Sequence, residues 1–331
     1  MRNPAVGYAV AWATLPRIPE RLGRWAFTRI ADRAWTQRGS GVRQLEANLR
    51  RVVGPAVSED ELRMWSRCGM RSYLRYFYEV FRLPALRPHE IRGRTQVSGV
   101  ANLETVLDSG RGAVVALPHM GNWDQAGAWI TLRGYPLTTV AERLRPRSVY
   151  ERFTRFRAGL GMEVLPLDRG DASLFARLAR RLRAGGLVCL LADRDLTGSG
   201  VDVTFFGEQA RFPAGPALLA HQTGAALVPV TLTSTPHQWQ ITIHPEVPRP
   251  ENGGRAQRCM QMTQQLAGVF EEAITTHPED WHMLQPVFIA DLVPEPSPRG
   301  QTSGQPAGPV RGRDRNRGSG SDSNTAMRGA G

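Results

Sequence analysis

The stretch Gly112-Ala113-Val114-Val115-Ala116-Leu117-Pro118-His119-Met120-Gly121-Asn122-Trp123-Asp124 decides the fold. Its first six residues are short, apolar and uncharged, the composition of a strand buried on both faces of a mostly parallel sheet. Pro118 has no amide to donate and ends the ladder. After a turn at Gly121, Asn122 with Gln125 three residues on predicts a capping box at the start of a helix carrying Ala126, Trp129 and Ile130 on its apolar side. Asp124 then lies in the first helical turn, where the helix dipole favours a carboxylate. His119 falls in the strand-to-helix loop at the carboxyl end of the strand, where open α/β sheets bind ligands.

His119 and Asp124 read as a base and the carboxylate that orients it. A neutral imidazole can take a proton from a hydroxyl, and an acid on its other nitrogen fixes the tautomer and steadies the imidazolium. The spacing by itself fits equally a histidine that closes a turn and an aspartate that decorates a helix start.

Downstream the pattern alternates: strand over 137–141, helix over 148–158, strand over 162–167, helix over 171–183, strand over 187–192. Such a βαβ series predicts a mostly parallel central sheet flanked by helices. Strands over 227–235 and 239–244, joined by a turn near Pro236, predict an antiparallel edge, followed by a long helix over 255–276. The strand at 187–192 runs into Ala192-Asp193-Arg194-Asp195. Two acids flanking an arginine at a buried strand end are costly to bury without partners, and the position faces the same crevice as His119. An exposed loop with a local ion pair is the plainer reading of the same residues.

The 331 residues carry a formal charge of +12, and all 42 basic residues are arginine. Beyond residue 292 the chain is rich in Gly, Pro, Ser and Arg and poor in large apolar side chains, which predicts a disordered tail. The tail's six arginines against three acids leave most of the positive charge on the body, a surface suited to phosphates: nucleic acid, anionic lipid or a polyphosphate donor. No helix-turn-helix, RRM or zinc-finger signature accompanies that charge, which argues against nucleic acid. Cys68, Cys189 and Cys259 are odd in number and widely spaced, so neither a disulfide framework nor a metal site is expected.

The opening 3–16 is uncharged but too short to span a bilayer, and no run of about 20 apolar residues occurs elsewhere. Arg2 followed by an alanine-rich run also mimics a signal peptide. After Pro19, helical spacing places Leu22, Ala26, Phe27, Ile30 and Ala34 on one face and Arg21, Arg24 and Trp25 on the other. That pattern suits a helix lying on a membrane surface and also an ordinary core-facing helix with a solvated face. The aromatics of 59–83, among them Trp65, Tyr73, Tyr76, Phe77 and Phe81, fit core packing or the wall of an acyl-chain groove. The expected organisation is an N-terminal helical, membrane-associating region over 1–95, an α/β core over 96–291 and the tail over 292–331.

Four elements in order make a resemblance specific: His119-x-x-x-x-Asp124 after a buried strand, Asp193-Arg194-Asp195, Phe205-Phe206-Gly207-Glu208, and Pro213-Ala214-Gly215-Pro216-Ala217-Leu218-Leu219-Ala220. Together they resemble the bacterial lipid acyltransferases that include the lipid A late acyltransferases. Ala31-Asp32-Arg33, Val42-Arg43-Gln44-Leu45 and Ala141-Glu142-Arg143-Leu144 extend the likeness to the actinobacterial branch, the phosphatidylinositol mannoside acyltransferases. That branch commonly has glutamate where Asp193 stands, one methylene shorter here.

The resemblance implies a peripheral enzyme on the cytoplasmic face of the inner membrane, with acyl-CoA as donor, a mannosylated phosphoinositide as acceptor, and no cofactor or metal. It implies His119 as general base oriented by Asp124, with Asp193 on the acceptor sugar and Arg194, Asp195 and Glu142 nearby. Backbone amides near the helix start, or Arg157, are the expected oxyanion donors. A related glycolipid acyltransferase, or a catalytically silent lipid-binding scaffold, would share these features.

Overall fold

Every residue of the strand that opens the decisive stretch is buried, as its composition requires. In the computed structural model, which describes residues 4–143, 146–167, 172–235 and 238–292, that strand is the second of nine. Four helices come first: α1 (Pro4–Thr14), α2 (Glu20–Gln37), α3 (Ser40–Val53) and α4 (Glu59–Arg82). Ser58 caps α4 in a closed capping box with Glu61. Then follow α5 (Pro88–Gly93), β1 (Thr95–Ser98), α6 (Val100–Asp108), β2 (Ala113–Leu117), α7 (Trp123–Leu132), β3 (Leu137–Glu142), α8 (Arg147–Gly159), β4 (Met162–Leu167), α9 (Ala172–Arg183) and β5 (Leu187–Leu191). The chain continues through β6 (Val201–Phe205), β7 (Glu208–Phe212), α10 (Gly215–Thr223), β8 (Ala226–Ser234), β9 (Trp239–Ile243), α11 (Arg255–Thr276) and α12 (Ile289–Leu292). The Pro236 turn, Asp171 and the tail beyond 292 lie outside the described residues.

Seven strands form one sheet in the order β1-β9-β8-β2-β5-β3-β4, and β6 and β7 form a separate hairpin. All neighbours in the large sheet are parallel except β8 and β9, the antiparallel pair near one end. β1 adds outside that pair, parallel to β9. Alternate side chains of β2 point to opposite faces, as the pleat demands. Val114 and Ala116 join the cluster that includes Leu178, Ala217, Leu266 and Phe270 from α9, α10 and α11. Ala113, Val115 and Leu117 join the one that includes Leu103 and Trp129 from α6 and α7. Sheet and N-terminal helices belong to one unit, Met1–Val293.

On α2 the helix is as expected but its faces are not. Gly23 and Ala31 are buried and Phe27 packs on Tyr78, so the inward seam is Gly23, Phe27 and Ala31. A Cβ on Gly23 would lie 2.5 Å from the Tyr78 ring, a contact only glycine permits. Leu22 and Ile30, expected to share one face with Phe27, instead stand about half exposed beside Trp25 at 58%.

Candidate active site

β2 and β5 are adjacent and parallel, so their carboxyl ends bring two loops together. Asp193, from the loop after β5, is completely buried against His119, from the loop after β2. One carboxylate oxygen is 2.6 Å from His119 Nδ1; the other accepts the His119 amide at 2.8 Å and the Trp281 indole N–H at 2.9 Å. Burial works against the charge, but the His119 imidazole, the Trp281 N–H and the His119 amide outweigh it and hold the Asp193 carboxyl below its usual range. An ionised carboxylate only accepts, so Nδ1 carries the proton and Nε2 presents its lone pair. The His119 side chain stays 23% exposed, open to a substrate.

Asp124 sits where the first helical turn was expected but does not reach the imidazole. Its oxygens accept Arg157 Nε at 2.6 Å, Arg157 Nη2 at 3.2 Å and the Tyr76 hydroxyl at 2.8 Å. Asp124 and Arg157 are thus a largely buried ion pair that ties α7 to α8 and, through Tyr76, to α4. Burial opposes the Arg157 charge, but Asp124 beside it raises the guanidinium pKa above the ordinary value. The Tyr76 phenol is pushed well up, by burial first and then by Asp124. The contact with the imidazole expected of Asp124 is made in the structure by Asp193. Asp193, expected on the acceptor sugar, is wholly buried and accepts from three groups of the chain itself. Nor is Arg157 a free oxyanion donor, since two of its nitrogens are committed to Asp124.

The loop between β2 and α7 is held by close packing. Gly121 has φ +59°, and a Cβ there would lie 2.6 Å from the Leu232 carbonyl oxygen, so no other residue fits. Asn122 caps α7 by accepting the Gln125 amide at 2.9 Å. The expected reciprocal bond from the Asn122 amide to Gln125 Oε1 does not form: Oε1 has no partner, while Nε2 donates to Thr95 Oγ1 at 2.9 Å, so only half of the capping box is present. Asn122 Nδ2 also donates to the buried Glu79, which accepts the Trp239 indole N–H as well.

The remaining expected residues divide. Glu142 ends β3 in solvent, two strands from β2. Arg194 donates to Gln285 Oε1 at 3.1 Å. Asp195 accepts the Thr197 amide and hydroxyl and the Gly200 amide, so it shapes its own loop rather than facing a substrate.

The segment Asp280-Trp281-His282, given no role in the sequence analysis, braces the whole site. Gly121 donates to the Asp280 carbonyl at 2.9 Å and His282 donates its amide to the His119 carbonyl at 2.7 Å. Phe205, at the end of β6, packs edge-on to the Trp281 ring. The Asp280 carboxylate accepts the Ser72 hydroxyl, Arg75 Nη2 at 2.9 Å and the Ser234 amide at 2.9 Å. With its only proton given to Asp280, Ser72 Oγ must accept from His282 Nε2, 2.9 Å away. His282 is thereby fixed with Nδ1 bare, and that buried nitrogen has no hydrogen-bond partner. Burial first, then the charge of Arg75, lowers the His282 pKa to about 3. Tyr76 stacks 4.2 Å from Trp123, whose ring is 6.0 Å from His119 and 6.4 Å from His282. Phe81, also on α4, packs in the core with Leu15 and Tyr78, the first of the two uses open to these aromatics.

The model of the bacterial lipid A biosynthesis acyltransferases matches residues 5–289. The chain belongs to that family. The phosphatidylinositol mannoside acyltransferase of Mycolicibacterium smegmatis is 46% identical over 292 residues, covering 88% of this chain and 93% of the relative. The protein of the same name from Mycobacterium tuberculosis strain H37Rv is 44% identical over 289 residues, covering 86% and 88%. This member of the acyltransferase family is accordingly a lipid O-acyltransferase. Among its described residues no helix is long and apolar enough to cross a membrane.

Proposed function

We propose that the protein transfers a fatty acyl chain from acyl-CoA to a mannose hydroxyl of a phosphatidylinositol mannoside. The observation that carries this reading is the buried, ionised Asp193 on Nδ1 of a partly exposed His119. His119 Nε2 takes the proton of the mannose hydroxyl as its oxygen attacks the thioester carbonyl, and Asp193 stabilises the imidazolium. Collapse of the tetrahedral intermediate expels the CoA thiolate, which the imidazolium protonates. The Gly121 amide is held by the Asp280 carbonyl and the Gln125 amide by the Asn122 side chain, so the Trp123 and Asp124 amides at the start of α7 are the oxyanion donors in this reading.

Trp123, next to the base, also lines a narrow apolar cavity with Leu117, Ala126, Ile130 and Cys189. An acyl chain lying there would place its thioester beside His119. The Cys189 thiol in that wall is pushed up to about 12 by burial and stays protonated, so it does not compete as a nucleophile. The enzyme works from the surface of an anionic membrane, on the cytoplasmic side, with the exposed Leu22, Trp25 and Ile30 of α2 against the lipid. Incubation of the purified chain with labelled acyl-CoA and phosphatidylinositol mannosides tests the reading. Label should appear on the mannoside and vanish with His119→Ala; label on phosphatidylinositol alone, or on no lipid, overturns the assignment.

A further inference from the structure

A groove of about 440 Å³, within the size range of small-molecule sites, has no part in the chemistry above. Ala128 and Leu132 of α7 line it. They follow Asp124 by one and two helical turns and so share its side of the helix. The apolar cavity behind Trp123 is lined instead by Ala126 and Ile130 of α7, so the two spaces lie against different faces of one helix. Across the groove, α8 supplies Phe156, Arg152 and Arg155.

Three features mark it as a site for one kind of molecule. Its walls are mostly apolar. Arg152 and Arg155 make no hydrogen bond or ion pair with any described residue, whereas on the same helix Arg147 pairs with Glu151 and Arg157 with Asp124. Trp12 also lines the groove, and its indole N–H is buried without an acceptor. An apolar trough with two unneutralised cations, a spare N–H donor and no acid in its lining complements an alkyl chain that ends in an anionic, acceptor-rich head.

We propose that this groove binds a single-chain anionic amphiphile, an alkyl phosphate or a fatty carboxylate. The chain lies along Ala128 and Leu132, and the head sits between the Arg152 and Arg155 guanidiniums. A neutral head gains only the apolar contact, and a cationic one is repelled.

Calorimetric titration of the full chain with monomeric dodecyl phosphate, dodecanoate, dodecyl maltoside and inorganic phosphate tests the proposal. Dodecyl phosphate should bind at least about tenfold more tightly than dodecyl maltoside or inorganic phosphate. The double variant Arg152→Glu/Arg155→Glu should lose at least about tenfold in that affinity. Gly159→Trp puts a large ring into the groove, which Gly159 lines and where a Cβ meets no atom within 4 Å. It should abolish binding of both anionic amphiphiles. The arms separate the two heads, since preference for dodecyl phosphate over dodecanoate marks a phosphate site and equal affinity a general anion site. Equal binding of maltoside and phosphate heads, wild-type affinity in the double charge reversal, or undiminished binding by Gly159→Trp overturns the proposal. Should the charge reversal fail to fold, Arg152→Gln/Arg155→Gln carries the same comparison.

Discussion

His119 and Asp193 occupy equivalent places on neighbouring strands. Leu117 pairs with Leu191, and each residue of the dyad stands two positions past its strand's member of that pair. Ala192 extends the register by donating to the Leu117 carbonyl at 2.8 Å. The alignment of two parallel strands, rather than the turn of a helix, puts an acid on the imidazole.

The first expected outcome follows from that alignment. His119→Ala and Asp193→Ala should each lower acyl transfer by about 10²- to 10⁴-fold. Because Asp193 acts through the imidazole, hydrolysis of acyl-CoA by water should fall together with transfer to the lipid. Radiolabelled turnover with and without acceptor separates the two reactions; loss of transfer with intact hydrolysis would place Asp193 on the acceptor instead. Asp193→Glu tests whether one added methylene fits between Trp281 and the ring.

Asp124 should behave as a structural residue. Asp124→Asn leaves the Arg157 charge largely buried and uncompensated, and breaking a buried pair costs about 3–5 kcal/mol. Urea unfolding should show that loss, and Tyr76→Phe a smaller one of about 1 kcal/mol. An Asp124→Asn protein as stable as wild type would remove the pair from the fold's support.

His282 gives the stability curve an acid slope. Its folded pKa of about 3 lies below the ordinary 6.5, so between those values the unfolded chain binds a proton that the folded chain refuses. The contribution is therefore complete above pH 6.5 and lost as pH falls towards 3, with a slope of at most about 1.4 kcal/mol per pH unit. His282→Asn should flatten the curve over that window. Denaturant melts of both proteins across it measure the difference, and parallel curves would show that the imidazole titrates normally.

Membrane attachment should depend on the outer stripe of α2. Trp25→Ala should weaken binding to anionic and neutral liposomes alike. Arg29, whose guanidinium lies 5.7 Å from the Trp25 ring centre, and Arg33 are exposed and contribute to anionic surfaces alone, about 1 kcal/mol each. Co-sedimentation of Arg29→Glu/Arg33→Glu should therefore fall on anionic liposomes and hold on neutral ones. Arg24, paired with Glu20 at 2.9 Å, should matter less. Unchanged sedimentation of the charge reversal would move the attachment elsewhere.

Local pattern made most elements legible. β4 and α11 run where alternation and helical spacing put them, and β2 begins one residue later. Burial on both faces is written into five successive apolar residues of β2. The partner of His119 was not legible, because it depends on which strand lies beside β2, and β5 begins 70 residues later along the chain. Asp124, five residues away, was the nearest acid on offer. The β6–β7 hairpin is not legible because its strands are short, and its turn at Phe206-Gly207 reads only as part of a motif. Residues 280–282 carry no periodicity at all. Their signal was chemical, an acid, a tryptophan and a histidine together after a long helix, and only tertiary contact shows what they hold.

Trp281 covers Asp193 from a point 88 residues further along the chain. On the ribosome, His119 and Asp193 emerge well before the indole that completes the buried carboxylate's bonds. A nascent chain stopped after α11 would carry both halves of the dyad yet leave Asp193 without its Trp281 donor and the His119 loop without its brace. The last support of the buried carboxylate is thus supplied late in synthesis.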